Sequence, residues 1–284
     1  MTDFLPALIA AATAEDGQPP FSDQSLVDHR TGVRRLITVD DTLGAALVTT
    51  APGDTEAELV VHPDARRRGL GERLLRDVMA AADGTLLVWA HGDHPGARAL
   101  AERHGFEAVR ELLQLRATVE PSSTPLPEPV EGRASTSSAT DIRPFRPGVD
   151  DSAWLTLNAQ AFAEHAEQGK LTQTDFDARL AEEWFNTDDF LLLWDDDELI
   201  GFCWLKVDGG LGEFYAVGVS PQRQGEGIGR MLVEAGLNRL AERGIRTSNL
   251  YVEADNEPAV RLYRSYGFAN HTVDVQYRGR FTDG

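Results

Sequence analysis

The chain contains the same unusual segment twice. "HPDARRRGLGER" (residues 62–73) and "SPQRQGEGIGR" (residues 220–230) each follow an apolar, strand-like run and lead into a helix-like one. Glycines at such a junction permit positive φ and let successive backbone N–H groups converge. The helix that follows presents its own unpaired donors and the positive end of its dipole, and the combination binds phosphate. With Gly69 laid over Gly227 the two segments are 158 residues apart, and Val61 falls on Val219, Pro63 on Pro221, Arg66 on Gln224 and Gly71 on Gly229. Downstream, "DHPGARALAERHGF" and "DNEPAVRLYRSYGF" match without a gap at an offset of 162, so the second half carries four extra residues in between. A recurrence in matching places is a duplication.

A duplicated chain of 284 residues has room for two domains, each able to bury its own core. We place the first at residues 1–118 and the second at 141–284. Residues 119–140, rich in Pro, Ser and Thr and poor in apolar side chains, read as a solvated linker. In the second half, apolar spacing predicts helices over 150–162 and 172–185, the latter opened by a Thr cap. Strands over 190–194, 199–207 and 211–219 are joined by "DDDE" and "DGG" as hairpins. After the glycine turn come a helix over 229–243, a strand over 247–252, a helix over 257–266 and a last strand near 273–277. The first half repeats this order from Gly32 onward without the leading strand. The fold class is α/β: in each half a mixed sheet whose central strand feeds a glycine turn and a helix.

Composition narrows the function. A formal charge of −19 argues against broad nucleic-acid binding, which needs a basic face; it is compatible with a cationic or amine ligand, but acidic side chains that simply keep a protein soluble explain it better. A single cysteine, Cys203, excludes a disulfide framework and a cysteine-rich metal site, and its apolar run "LIGFCWLKV" marks it as a buried hydrophobe. No apolar run reaches membrane-spanning length. The N-terminus lacks the marks of a signal peptide and reads as an amphipathic helix, so we expect a cytoplasmic chain with no membrane partner and no metal.

Neither glycine turn has the Gly-Lys-Ser/Thr of a P-loop or the three glycines of a dinucleotide fingerprint. Both share Arg/Gln-x-x-Gly-x-Gly: Arg66, Gly69 and Gly71, then Gln224, Gly227 and Gly229. With Asn256 and "LYRSYGF" downstream, this resembles the acetyl-CoA pyrophosphate loop of the GCN5-related N-acetyltransferase (GNAT) superfamily, in two tandem copies. Acetyl transfer to an amine needs a base for the ammonium, a donor for the developing oxyanion and an acid for the leaving thiolate. Glu213, on the strand before the second glycine turn, is placed to be the base. The superfamily pattern gives Tyr263 the acid's role, and a backbone N–H among Val217, Gly218 and Val219 falls to the oxyanion. By the two offsets Thr55 stands for Glu213 and Ala101 for Tyr263, so the first half is expected to bind acetyl-CoA without turning it over. Glu56 and Glu58 are close enough to serve instead if the strand is bulged.

The strings "ELVVHPDARRRGLG", "VWAHGDHPGARA", "AFAEHAEQGK", "GEFYAVGVSPQ" and "LYVEADNEPAV" are similar to those of the mycothiol synthase family, across both halves. That resemblance implies acetylation of the cysteinyl amine of cysteinyl-glucosaminyl-inositol. It places acetyl-CoA contacts at Leu59, Val60, Val61, Arg67, Arg68, Gly69, Leu70, Gly71 and Glu72 in the first half. In the second it places them at Val217, Gly218, Val219, Gln224, Gly225, Glu226, Gly227, Ile228, Gly229, Arg230, Asn256, Glu257, Pro258, Ala259, Val260 and Arg261. Substrate contacts fall on Asp23, Glu167, Lys206, Glu213 and Tyr251, of which Asp23 has a rival role as a helix cap. Glu226 departs from the arginines many relatives carry and puts a negative charge beside the second loop. A GNAT enzyme for another amine (a peptide N-terminus, an aminoglycoside, a polyamine) and a non-catalytic acyl-CoA sensor stay open as alternatives. A tandem duplication already supplies a two-copy arrangement, so a monomer is expected.

Overall fold

The structure, a computed structural model, describes residues 4–40, 42–51, 54–82, 84–120, 140–163 and 168–281. It divides into two compact units. Unit 1 comprises residues 1–113, 253–255 and 272–284, and unit 2 comprises residues 114–252 and 256–271. These are not the contiguous halves drawn at 118 and 141, because each unit takes a strand segment from the other half of the sequence.

Unit 1 opens with α1 (Leu5–Asp16) and α2 (Asp23–Arg30), followed by β1 (Arg35–Val39), β2 (Gly44–Ala51) and β3 (Asp54–Val61). After the first glycine turn come α3 (Leu70–Met79), β4 (Gly84–His91), α4 (Pro95–Arg103) and the start of β5 (Glu107–Thr118). Its strands run in the order β1-β2-β3-β4, with the end of β11 (Ala269–Phe281) next to β4. β11 pairs antiparallel with β4 from Asp274 opposite His91 to Phe281 opposite Gly84. On one face of the sheet Leu70, Leu74, Leu75 and Val78 of α3 pack on Ala46, Val48, Ala57 and Leu86. On the other, Leu5, Leu8 and Ala12 of α1 pack on Ala45, Leu47 and Val60. α1 is not amphipathic as expected: it buries one stripe of leucine and alanine, but Ala7 and Ala10 on the outside are apolar too.

Unit 2 contains β6 (Thr140–Pro144), α5 (Asp151–Ala161), α6 (Gln173–Leu180), β7 (Phe190–Asp195), β8 (Glu198–Asp208) and β9 (Leu211–Val219). Past the second glycine turn follow α7 (Ile228–Glu242), β10 (Thr247–Glu253) and α8 (Glu257–Ser265). Its strand order is β10-β9-β8-β7-β6, with the end of β5 beside β10. α6 is shorter than predicted and starts with a complete capping box between Thr172 and Asp175. The core between the sheet and α5 and α6 is aromatic: Trp154 stacks on Phe176 at 4.2 Å and Phe190 on Trp204 at 4.4 Å. Removing Trp154, fully buried among these rings, should cost about 3–5 kcal/mol. The expected linker is part structure, since Val119 is buried and its N–H donates to the Arg246 carbonyl. Its residues 121–139 lie outside the described ones.

Candidate active site

The two glycine turns have one backbone. Gly69 and Gly227, the N-caps of α3 and α7, sit at φ 82° and 85°. Two residues earlier, Gly225 is at φ 85° and its counterpart Arg67 at 61°. This alternation curls the amides into a concave cluster at a helix N-terminus, where an anion fits. Arg67 holds a left-handed conformation that costs an L-residue about 1–2 kcal/mol, strain of the kind that accumulates at ligand sites. Gly229 serves a different purpose: a Cβ there would lie 3.2 Å from Leu262, so its lack of a side chain eases the approach of α8, whereas at Gly71 a Cβ would meet Leu100 at an ordinary 3.4 Å.

Side chains around the loops are already engaged. Arg66 forms a two-point ion pair with Asp16 at 2.7 and 2.6 Å, while Arg67 and Arg68 are exposed. Glu72 is gripped by Arg76, Arg103 and His104, which hold its carboxyl below the usual range against the upward pull of desolvation. Glu226 accepts from Arg223 at 2.8 Å, so its charge is paired locally rather than aimed at the loop. Gln224 and Arg230 are exposed, and Ile228 and Leu70 turn into the cores. Asn256 caps α8 by accepting from the Ala259 N–H at 3.2 Å, Glu257 pairs with Arg261, Pro258 is exposed and Val260 is core.

Behind each loop the two central strands part. β9 and β10 pair only from Leu211 opposite Thr247 to Phe214 opposite Leu250, although β9 runs on to Val219. β3 and β4 pair from Asp54 opposite Thr85 to Glu58 opposite Trp89, although β3 runs on to Val61. The direction of the freed amides follows from alternation along a strand. Ser220 N–H donates to Ile200 on the β8 side, so Gly218 also faces β8 while Val217 and Val219 face the opening toward β10. His62 N–H donates to Leu43 on the β2 side, which turns Leu59 and Val61 to the corresponding opening.

The halves differ where chemistry is concerned. β8 pairs Trp204 with Ala216 but Leu205 with Phe214, leaving Tyr215 as an extra, bulged residue in β9. Glu213 pairs across the sheet with Lys206 on one side and Asn249 on the other. Its face also carries Tyr215, packed on Trp184 and Trp204, and the Lys206 ammonium, 5.5 Å from the centre of the Trp184 ring. Tyr251 lies two residues beyond Asn249 on that face, half exposed, and its hydroxyl accepts from Gln114 at 2.6 Å. Phe214 points to the opposite face, where its ring centre is 6.4 Å from that of Tyr263. Burial pushes the Tyr263 phenol well above its usual range. Glu213 and Tyr263 therefore flank the parting strands from the two faces of the sheet. Asn249 escaped the sequence reading; it is buried with its Oδ1 unpartnered among the described residues, and its period-two spacing from Tyr251 was the available signal. Asp23 is exposed in the first turn of α2, whose cap is Ser22, so the rival capping role does not hold. Glu167 lies outside the described residues.

In unit 1 no bulge interrupts the pairing of β2 with β3, and the offset that matched Thr55 to Glu213 fails by one residue. Gly44 pairs with Val61 as Gly201 does with Val219; equally far along, Thr49 pairs with Glu56 as Lys206 does with Glu213. Glu56 is thus the positional counterpart of Glu213, tied to Arg34 at 3.2 Å. Ala101 does match Tyr263, for the Phe106 N–H donates to the Ala101 carbonyl as the Phe268 N–H does to that of Tyr263. Next to Glu56, buried Glu58 accepts from Ser22 and Ser25 and lies 3.6 Å from His91, whose Nδ1 is 3.0 Å from Asp274. Cys203 is wholly buried against α7, and burial pushes its thiol up. No helix among the described residues is long and apolar enough to cross a membrane.

The acetyltransferase (GNAT) family matches residues 155–268, and an acetyltransferase (GNAT) domain matches residues 33–108. A mycothiol acetyltransferase of Clavibacter sepedonicus is 49% identical over 96% of this chain and 90% of its own length. One from Kocuria rhizophila is 44% identical over 97% of this chain and 95% of its own. Among solved structures, a tandem GNAT protein from the clavulanic acid biosynthesis pathway superposes with a TM-score of 0.71 at 15% identity, covering 99% of this chain and 95% of that one.

Proposed function

Since this chain belongs to the mycothiol acetyltransferase family of tandem GNAT proteins, we propose that it moves the acetyl group of acetyl-CoA to the cysteinyl amine of cysteinyl-glucosaminyl-inositol, with unit 2 as the catalytic unit. The observation that carries the assignment to unit 2 is the placement of Glu213 and Tyr263 on either side of the parting of β9 and β10. The amide cluster from Gln224 to Gly229 suits the coenzyme's diphosphate, because its donors converge at the start of α7. The inward amides of Val217 and Val219 are then positioned to donate to the arm that carries the thioester and to its carbonyl oxygen.

Glu213 takes the proton of the substrate ammonium, directly or through water, from the face that also offers Lys206 and Tyr251 to the substrate's oxygens. Tyr263 approaches from the other face and returns a proton to the departing thiolate; its raised pKa keeps it protonated until that moment. Unit 1 retains the loop and the inward amides of Leu59 and Val61 but has alanine for the phenol, and its positional carboxylate is bound to Arg34. It holds acyl-CoA without turnover.

The test is to incubate the protein with acetyl-CoA and the cysteinyl pseudodisaccharide and follow the added acetyl mass by mass spectrometry, since the substrate's own thiol confounds free-thiol assays. Acetylation at the amine is expected, and Glu213→Gln should lower it about 10²-fold or more while leaving coenzyme affinity unchanged. Preferential acetylation of an aminoglycoside, polyamine or peptide would redirect the substrate assignment. Saturable coenzyme binding without product from any amine would reduce the protein to a sensor.

A further inference from the structure

Unit 1 contains an apolar cavity of about 60 Å³ at the parting of β3 and β4. Leu59, Val88, Ala97, Leu100, Ala101 and Tyr277 are among the residues that line it. Four of its lining residues have an apolar counterpart of similar size in unit 2: Val217 for Leu59, Leu250 for Val88, Ala259 for Ala97, Leu262 for Leu100. Ala101 departs from that match, for its counterpart is the buried phenol of Tyr263. Alanine where unit 2 carries a phenol takes the volume of a ring away from this wall. The hydroxyl of Tyr277, one of the lining residues, donates to Asp93 at 2.6 Å and is thereby satisfied. No ionised side chain lines it.

We propose that this cavity is an acyl pocket, and that unit 1 binds short-chain acyl-CoA thioesters longer than acetyl in preference to acetyl-CoA itself. The inference rests on the reading that the first glycine loop grips coenzyme A. Granted that, the inward amides of Leu59 and Val61 lead the pantetheine arm from the loop toward Ala101, where unit 2 presents its phenol to the sulfur. The carbons beyond the sulfur then meet an apolar space rather than a ring. At about 15 Å³ per water-sized group the space takes about four such groups, more than an acetyl methyl fills. Each further methylene buried there is worth about 0.8 kcal/mol, a factor of about four in affinity. In unit 2 the Tyr263 ring occupies the equivalent position, and the same lengthening gains nothing.

Calorimetric titration of the full-length Gly227→Val variant isolates the first site, because a β-branched residue cannot hold the 85° φ of the second loop. Affinity is expected to rise about fourfold per carbon from acetyl- through propionyl- to butyryl-CoA. Ala101→Phe and, more gently, Ala101→Leu should each flatten the series while acetyl-CoA binding stays within about twofold. If Gly227→Val does not fold, counting bound thioesters by native mass spectrometry in the parent and in Ala101→Leu gives the same comparison as a difference. A flat series in a protein that does bind acetyl-CoA, or a slope that survives both Ala101 variants, overturns the acyl pocket and spares the loop assignment. A folded Gly227→Val protein that binds none of the three overturns the loop assignment beneath it as well.

Discussion

Single residues separate the copy proposed to catalyse from the copy proposed only to bind. Tyr263→Phe keeps the ring and its packing against Phe214 and Phe268 but removes the proton. We expect turnover to fall about 10²-fold with little change in the KM for acetyl-CoA, read from initial rates with mass-spectrometric detection. Arg67 separates strain from charge. Arg67→Gly relieves the 61° φ but loosens the unfolded chain, so thermal stability should stay within about 1 kcal/mol. Losing one charged hydrogen bond should nonetheless weaken coenzyme binding at the first loop about tenfold, visible by calorimetry as a change in one class of sites only. An unaltered isotherm would make the arginine's conformation a feature of the turn alone.

At the level of elements, the glycine turns, their helices and the strands before them were legible in the sequence, because backbone demands at a strand-to-helix junction are met by few residue types. The bulge at Tyr215 was not: an extra residue in one strand leaves the hydrophobic alternation readable on both sides, and only the pairing with β8 reveals it. It explains why an ungapped offset chose Thr55 over Glu56. Buried charge was equally hidden, since Glu58, His91 and Asp274 are far apart in the chain. Desolvation alone would lower the pKa of His91, but hydrogen bonding and charge from Asp274 and Glu58 outweigh it and raise it to about 9. An imidazolium favoured by folding stabilises unit 1 fully below its unfolded value near 6.5, and that contribution disappears as pH rises through about 9. The melting temperature of the parent should therefore drop between pH 7 and pH 10, roughly, and His91→Gln should start lower and follow a flatter profile. Parallel profiles would show that the clamp does not titrate as described.

For the molecule as a whole, the sequence indicated two copies of one fold but not how the ends of the chain are shared. Side-chain patterning specifies which face of a strand is buried and says little about which neighbour the strand will pair with. Residues 272–284, though C-terminal, belong to unit 1, where Asp274 accepts from the Gly92 amide at 3.0 Å and β11 runs the length of β4. A chain ended at residue 271 keeps every side chain assigned to catalysis yet should lose protection in the first half. Hydrogen exchange is expected to become fast in β3 and β4 and to stay slow in β9 and α7; uniform slow exchange would contradict the exchanged strand. This arrangement also sets an order on synthesis. The first half leaves the ribosome with one edge of β4 bare, open to stray pairing until residues 274–281 are translated. Cut between its halves, the chain would leave each unit without a strand segment that the other half supplies.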